Sequence, residues 1–494
     1  MRKGFIYCSA LLTVTLLVGG FWVQWIWFLL LVVLPLVALG FYDLLQRKHT
    51  VLRNFPLLGH FRYLFEEISP EIQQYFIERH TDGTPISRNH RSVVYKRAKD
   101  RPATHPFGTE RDPYSARYVG LRHSLYPRSP LEEGFRVTIG GPDCRKPYAA
   151  SLLNISAMSF GSISDRAILA MGKGAKEGGF YQNTGEGSVS EYHVEAGGDL
   201  VWQIGTGYFG CRTPEGGFDA EAFREKANWE VVKMVELKLS QGAKPGHGGV
   251  LPKEKNNAEI ARIRMVEPGT TVESPQGHRE FRDAEGLLRF IAKLRRLSGG
   301  KPIGIKLCIG REEEFRSLCE TMVRRGSYPD FITVDGAEGG TGAAPLEFTD
   351  SVGMPLEPAL RFVRHTLVDL GIRERIKVIA SGKIVTAFDI VRVLAYGADL
   401  CNSARAFMLA TGCIQALRCN TNRCPTGVTT LDPRLTAGLV VEDKYKRVAN
   451  FHRNTLRAAR ELMAGCGVSH PRELDESVFL RGVEWQHLGG SGVG

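Results

Sequence analysis

An α/β chain built on a (β/α)8 barrel, the TIM barrel architecture, is the fold class that the sequence predicts, with a transmembrane hairpin and a lead-in region ahead of it. Three observations predict it. From about residue 151, short apolar runs alternate with helical patterns. Small and charged residues gather at the C-terminal end of each run, and residues 4–42 carry no charge at all.

The 494 residues are 43% hydrophobic and 24% charged, ordinary values for a chain with a full core. The 55 glycines exceed average usage and suit a fold with many tight strand-to-helix turns. A net charge of +11 suits an anionic membrane face, anionic small molecules or nucleic acid equally, so it selects none of them. Nucleic acid is not expected as a partner. The ten cysteines are scattered apart from one group, which argues against a disulfide framework and for a reducing, cytosolic setting.

Between Lys3 and Asp43 the strongly polar side chains are Ser9, Thr13, Thr15 and Gln24. One span needs about 20 apolar residues, so this stretch is too long for one straight helix and suits two short ones. A turn from Gly19-Gly20 to Gln24 leaves spans 5–21 and 25–42, with Trp22, Trp25 and Trp27 at the far interface. Arg2 and Lys3 flank one end, and Arg47 and Lys48 the other, so both ends face the cytoplasm. A cleaved signal peptide would have an apolar region of only about 7–15 residues. Residues 1–43 are therefore expected to anchor the chain in the inner (cytoplasmic) membrane, with the catalytic domain in the cytoplasm.

Residues 44–150 are rich in Arg, Pro and aromatics and read as a lead-in region packed on the barrel, with one helix near Pro70–Arg79. Arg88–Arg101 carries six Lys/Arg and one acid, and reads equally as a solvated loop or a contact with anionic headgroups. The barrel is expected over 151–470, followed by a C-terminal tail, 471–494. Its strand candidates are 151–156, 180–184, 200–204, 234–239, 303–308, 331–334, 377–380 and 400–402. Continuous apolar strands alternating with helices indicate a parallel sheet covered on both faces. Eight of them fit the barrel, with a long insertion at 240–300; a doubly wound sheet is the alternative.

In such a barrel the chemistry sits at the C-terminal ends of the strands. Met158 and Ser159 follow the first strand candidate, and Lys306 closes the fifth. Gly339-Gly340-Thr341-Gly342 follows the sixth, and Ser381-Gly382-Lys383 the seventh. Glycines let a backbone approach a phosphate closely, and phosphate sites after the last strands recur in this fold. Ordinary turns are the plain alternative for each loop. Lys306 would be costly to bury unpaired, and a flavin ring gaining negative charge on reduction would partner it. Gly205 to Gly210 fits G-x-G-x-x-G, but Pro214 and Gly216-Gly217 follow where a dinucleotide site needs a helix. Cys413, Cys419 and Cys424 are spaced C-x5-C-x4-C with Pro425 after them. Structural zinc normally takes four ligands. Three thiolates in one loop suit a three-iron cluster, and three buried reduced cysteines are the alternative.

From residue 150 to 465 the motifs, taken in order, resemble the FMN-binding synthase domain of glutamate synthase, in its short membrane-anchored form. They are Met158-Ser159-Phe160-Gly161-Ser162, Gly185-Glu186-Gly187, Gln241-Gly242-Ala243-Lys244-Pro245-Gly246, Gly339-Gly340-Thr341-Gly342-Ala343 and the cysteine loop. The resemblance implies FMN at the strand ends, with Lys306 near the ring and the phosphate near Gly339–Gly342 and Ser381–Lys383. It also implies a 3Fe-4S cluster on Cys413, Cys419 and Cys424. The implied reaction adds ammonia to 2-oxoglutarate and reduces the resulting 2-iminoglutarate to glutamate. Glu186, Lys244 and Arg264 fall at the positions that bind 2-oxoglutarate in that family, where Lys and Arg pair with its carboxylates.

Two departures stand out. Val250 occupies the position of the family's substrate glutamine, and His247 that of a glutamate. No amidotransferase domain precedes the barrel and no nicotinamide domain is evident, so ammonia and electrons are expected from partner proteins or from solution. Two other readings remain at this point: a flavin/iron–sulfur membrane electron carrier, and a glutamate-modifying transferase of the methylamine–glutamate type.

Overall fold

The computed structural model describes residues 1–482 and divides into two compact units, Met1–Arg79 and His80–Gly494. In the larger unit eight parallel strands close into a barrel. They are β1 (Leu153–Ile155), β2 (Gln182–Asn183), β3 (Leu200–Ile204), β4 (Val232–Lys238), β5 (Ile303–Leu307), β6 (Phe331–Asp335), β7 (Lys377–Ser381) and β8 (Leu400–Ser403). Each of the eight expected runs supplies one strand, and β8 closes on β1 through the pairs Cys401–Leu153 to Ser403–Ile155. The doubly wound alternative is thereby excluded.

Strand alternation sorts the barrel interior by height. At the N-terminal end Tyr181, Val201, Met234, Phe331, Ile379 and Leu400 form an apolar floor. A hairpin, Val137–Ile139 with Tyr148–Ala150, adds Ile139 and Ala150 to that floor from below and plugs this end. Two residues further along their strands come Asn183, Gln203, Glu236 and Thr333. Asn183 Nδ2, Gln203 Nε2 and Thr333 Oγ1 all donate to the Glu236 carboxylate, at 2.8, 2.6 and 2.6 Å. A buried carboxylate is tolerable only with its lone pairs engaged in this way. One step higher, Lys238 and Asp335 stand at the mouth.

Helices cover the outside, several of them started by a side-chain cap where the chain turns off the barrel. Ser164 caps Asp165–Gly178, and Thr386 with Asp389 forms a capping box on Ala387–Ala395. The long helix Val441–Gly465 lies along the first of these, and its His452 stacks on Phe180 at 3.9 Å and meets Ser151 Oγ at 2.9 Å.

The structure corrects three expectations in the flanking regions. Arg88–Ala98 is not a loop but a helix docked on the barrel unit. Arg91, Val94 and Ala98 are buried at helical spacing, Tyr95 donates to Cys413 O at 2.8 Å, and Asn454 donates to Arg97 O at 3.0 Å. The helix expected near Pro70–Arg79 begins earlier, at Gly59, and runs to Ile72 before a π-type turn, Gln73–Ile77. Of the expected tail, Phe479–Arg481 pairs antiparallel with Val119–Leu121, and residues 483–494 lie outside the described residues.

The smaller unit opens with two helices, Arg2–Gly20 and Ile26–Leu45, long and apolar enough to cross a membrane by length and composition. They run side by side, with Phe5 against Phe41 at 5.7 Å and Trp27 Nε1 donating to Gly20 O at 2.9 Å across the turn.

Candidate active site

A cavity of about 250 Å³ opens at the C-terminal mouth of the barrel. The sequence-predicted residues Met158, Ser159, Glu186, Lys244, Arg264, Lys306, Gly339 to Gly342, Ser381, Gly382 and Lys383 all line it. Of the three cysteines, Cys419 lines it and Cys413 and Cys424 do not.

On one side lie the loops after β6, β7 and β8. A Cβ at Gly340 would stand 3.2 Å from Nη2 of Arg405, so the missing side chain leaves a gap between backbone and guanidinium. Among the described residues Arg405 has no carboxylate partner; its Nη1 points at the Met408 sulfur, 3.2 Å away. Lys383 is likewise free of ion pairs among the described residues. Two glycine-rich turns and two uncompensated cations suit a phosphate-bearing group.

Beneath them Lys306 Nζ meets Asp335 Oδ2 at 3.3 Å, and that carboxylate oxygen also accepts from Gly242 N at 2.9 Å. Burial opposes the Lys306 charge, but Asp335 and Glu236 outweigh it and hold the ammonium above its ordinary value. Lys306 therefore stays protonated.

The opposite side is a corner of one carboxylate and three cations. Glu186 Oε1 pairs with Lys238 Nζ at 3.0 Å. A Cβ on either Gly205 or Gly249 would collide with the Glu186 carboxylate, so these two glycines give it room. Burial works against its charge, yet Lys238, then Arg264 and Lys244, hold it below the usual carboxylate range. Arg264 is buried; its Nη2 donates to Phe160 O at 2.9 Å, and its cation lies over the Phe209 ring. Its Nε is buried with no hydrogen-bond partner. Burial brings Arg264 down to about 10, with Glu186 opposing. Lys244 is also lowered, by burial and then by Lys238, with Glu186 opposing, and it makes no ion pair among the described residues. One anion among three cations leaves an excess of two positive charges in a buried corner, a setting for a dianion. Val250, on the strand pair Val250–Leu251 and Val272–Glu273, presents an apolar side chain to the same cavity. His247 turns away from it, toward Gly248 O and the Phe348 ring.

Cys413, Cys419 and Cys424 follow the helix Arg405–Thr411 on one stretch of chain. Cys413 is pushed up to about 11, first by burial and then, in part, by the other two. Even so, among the described residues no group of three His, Cys, Asp or Glu side chains is gathered to hold a metal ion. Lys255, buried beside them, donates to Cys419 O at 3.4 Å and Thr429 O at 3.3 Å.

Sequence reasoning missed Lys238, Asp335, Arg405 and Lys255. Lys238 carried the signal that exposed Lys306, a lysine closing an apolar strand. Arg405 stands two residues past the end of β8, the kind of position where charged residues gather in this chain.

A closed barrel with a phosphate-type cradle on one side of its mouth and a dianion corner on the other defines a (β/α)8 protein with its site at the strand C-termini. The conserved region in glutamate synthase matches residues 138–469, and the chain belongs to that family. The glutamate synthase large subunit-like protein YerD of Bacillus subtilis is 39% identical over 467 residues, covering 86% of this chain and 88% of its own. The archaeal-type glutamate synthase (NADPH) of Thermotoga maritima is 34% identical over 330 residues, 66% of this chain and 62% of its own. This chain thus spans less than two thirds of that relative. Among solved structures, the flavin-binding domain of baker's yeast flavocytochrome b2 aligns with a TM-score of 0.44 and 14% identity over 93% of each chain.

Proposed function

We propose that the chain is an FMN-dependent oxidoreductase of the glutamate synthase type, anchored by its N-terminal hairpin, that forms glutamate from 2-oxoglutarate and ammonia. The observation that carries this reading is the charge excess around Glu186. Buried Arg264, with an unused Nε, and unpaired Lys244 offer charge-assisted bonds to the two carboxylates of the acid. Glu186 Oε1 is engaged by Lys238, which leaves Oε2 to accept from the nitrogen of ammonium or of 2-iminoglutarate. Burial keeps water from competing for these contacts.

FMN fits the remaining wall. Gly339 to Gly342, Ser381 to Lys383 and Arg405 would hold its phosphate, and Lys306 would lie near the ring. When bound, FMN supplies the hydride that reduces the imine. A 3Fe-4S cluster on Cys413, Cys419 and Cys424 is the finer part of the proposal. It rests on the C-x5-C-x4-C spacing and on the resemblance alone, since the described residues gather no three such ligands, and no step is routed through it. Ammonia from solution or an amidotransferase partner, and electrons from a partner protein, complete the reaction.

The test uses purified, chemically reduced protein. Addition of 2-oxoglutarate with ammonium is expected to restore the oxidised flavin spectrum, and neither alone should do so. No reoxidation, with flavin present, would overturn the substrate and favour a membrane electron carrier. Mass spectrometry of the released cofactor should give FMN, and anaerobic preparations should contain iron that Cys419→Ser abolishes.

A further inference from the structure

We infer that the helix Gly59–Ile72 lies in the membrane interface, with its apolar face in the headgroup–acyl boundary. This rests on the proposed membrane anchoring of the hairpin. Phe61, Leu64, Phe65, Ile68 and Ile72 recur at i, i+3, i+4, i+7 and i+11, the spacing of one helical face. Within its own compact unit that face is left open: Phe61 is 55% and Phe65 58% exposed, and Phe76, in the turn that continues the helix, is 85% exposed. Arg62, Glu66 and Glu67 occupy other faces, and Arg62 pairs with Glu66 at 2.7 Å. Such a stripe backed by charge is the pattern of a helix lying in a membrane surface rather than crossing it.

Continuity selects lipid as the occupant. The helix belongs to the same compact unit as the hairpin. It is tied to the end of the second apolar helix by a buried carboxylate, Asp43, which accepts from Leu57 N and meets His60 Nε2, both at 3.0 Å. Asp43 lies in the last turn of that helix, where an anchored chain emerges from the bilayer. The tie therefore fixes the start of the amphipathic helix at the depth where headgroups begin. Exposed Phe55 and Leu58, on the connection, extend the apolar surface between the two.

The test places photoreactive benzoylphenylalanine at single positions of the full chain in its native membrane and identifies the adducts by mass spectrometry. Phospholipid adducts are expected at Phe65 and Phe76, about tenfold above those at Glu67. Leu31, in the second apolar helix, serves as the reference for the hairpin. Lipid adducts at Leu31 without any at Phe65 and Phe76 would overturn the interfacial placement alone. Protein adducts at Phe65 and Phe76, to a second copy or another chain, in place of lipid would also overturn it. Absence of lipid at Leu31 as well would overturn the membrane anchor itself.

Discussion

Arg264 and Lys238 act on the same corner in opposite ways. Arg264 supplies a donor that no protein group uses, so Arg264→Ala should weaken 2-oxoglutarate binding by about ten- to hundred-fold, the equivalent of losing about 1.5–3 kcal/mol. Flavin-monitored titration measures it. Lys238 instead holds Glu186 in its charged form. Lys238→Met should raise the pKa of Glu186 and move the acid limb of the activity–pH profile upward, an effect that a simple packing defect would not produce. Buried histidines set a separate pH limit. Burial lowers His452 and His193 to about 3, below the value of about 6.5 in an unfolded chain. Their neutral forms stabilise the fold fully above pH 6.5, and that contribution is lost as the pH falls toward 3. At pH 5.5 each should cost about 1 kcal/mol, and His452→Gln should flatten the fall in melting temperature between pH 7 and 5.5. The site was legible in the sequence where a charge interrupted an apolar strand or a glycine run followed one. Arg405 and Lys255 were not legible as site residues, because their meaning depends on which loops the barrel brings beside them.

The elements show the same division between local and distant information. Eight apolar runs were enough to count the strands, since a buried parallel strand announces itself by composition. The helix Arg88–Ala98 was hidden because its buried stripe includes Arg91, so charge masked periodicity. The plugging hairpin was hidden because its two strands are three residues each, and only the barrel floor gives Ile139 and Ala150 something to cover. The inward polar step also escaped notice: Gln203 and Glu236 sit inside runs that read as continuous core. On that floor Gly304 of β5 faces Phe331 of β6 so closely that an added Cβ would enter the ring. Gly304→Val should therefore destabilise the barrel by about 1–3 kcal/mol through overpacking. A thermal shift measures it, and an unchanged melting temperature would contradict the tight floor.

For the molecule as a whole, the plug turns the barrel into a cul-de-sac, and traffic in a cul-de-sac runs last in, first out. Lys306 sits on a strand, while Lys244, Val250 and Arg264 come from the insertion after β4, nearer the street. On the proposed assignment, with flavin by Lys306 and the acid at Arg264, the acid stands nearer the mouth and the flavin leaves after it. Saturating 2-oxoglutarate should accordingly slow the loss of flavin on dilution, read as the appearance of free-flavin fluorescence. An unchanged rate would mean that the two leave by separate doors. On the proposed assignment such a queue protects its own contents: while substrate waits at the mouth, the flavin behind it is held.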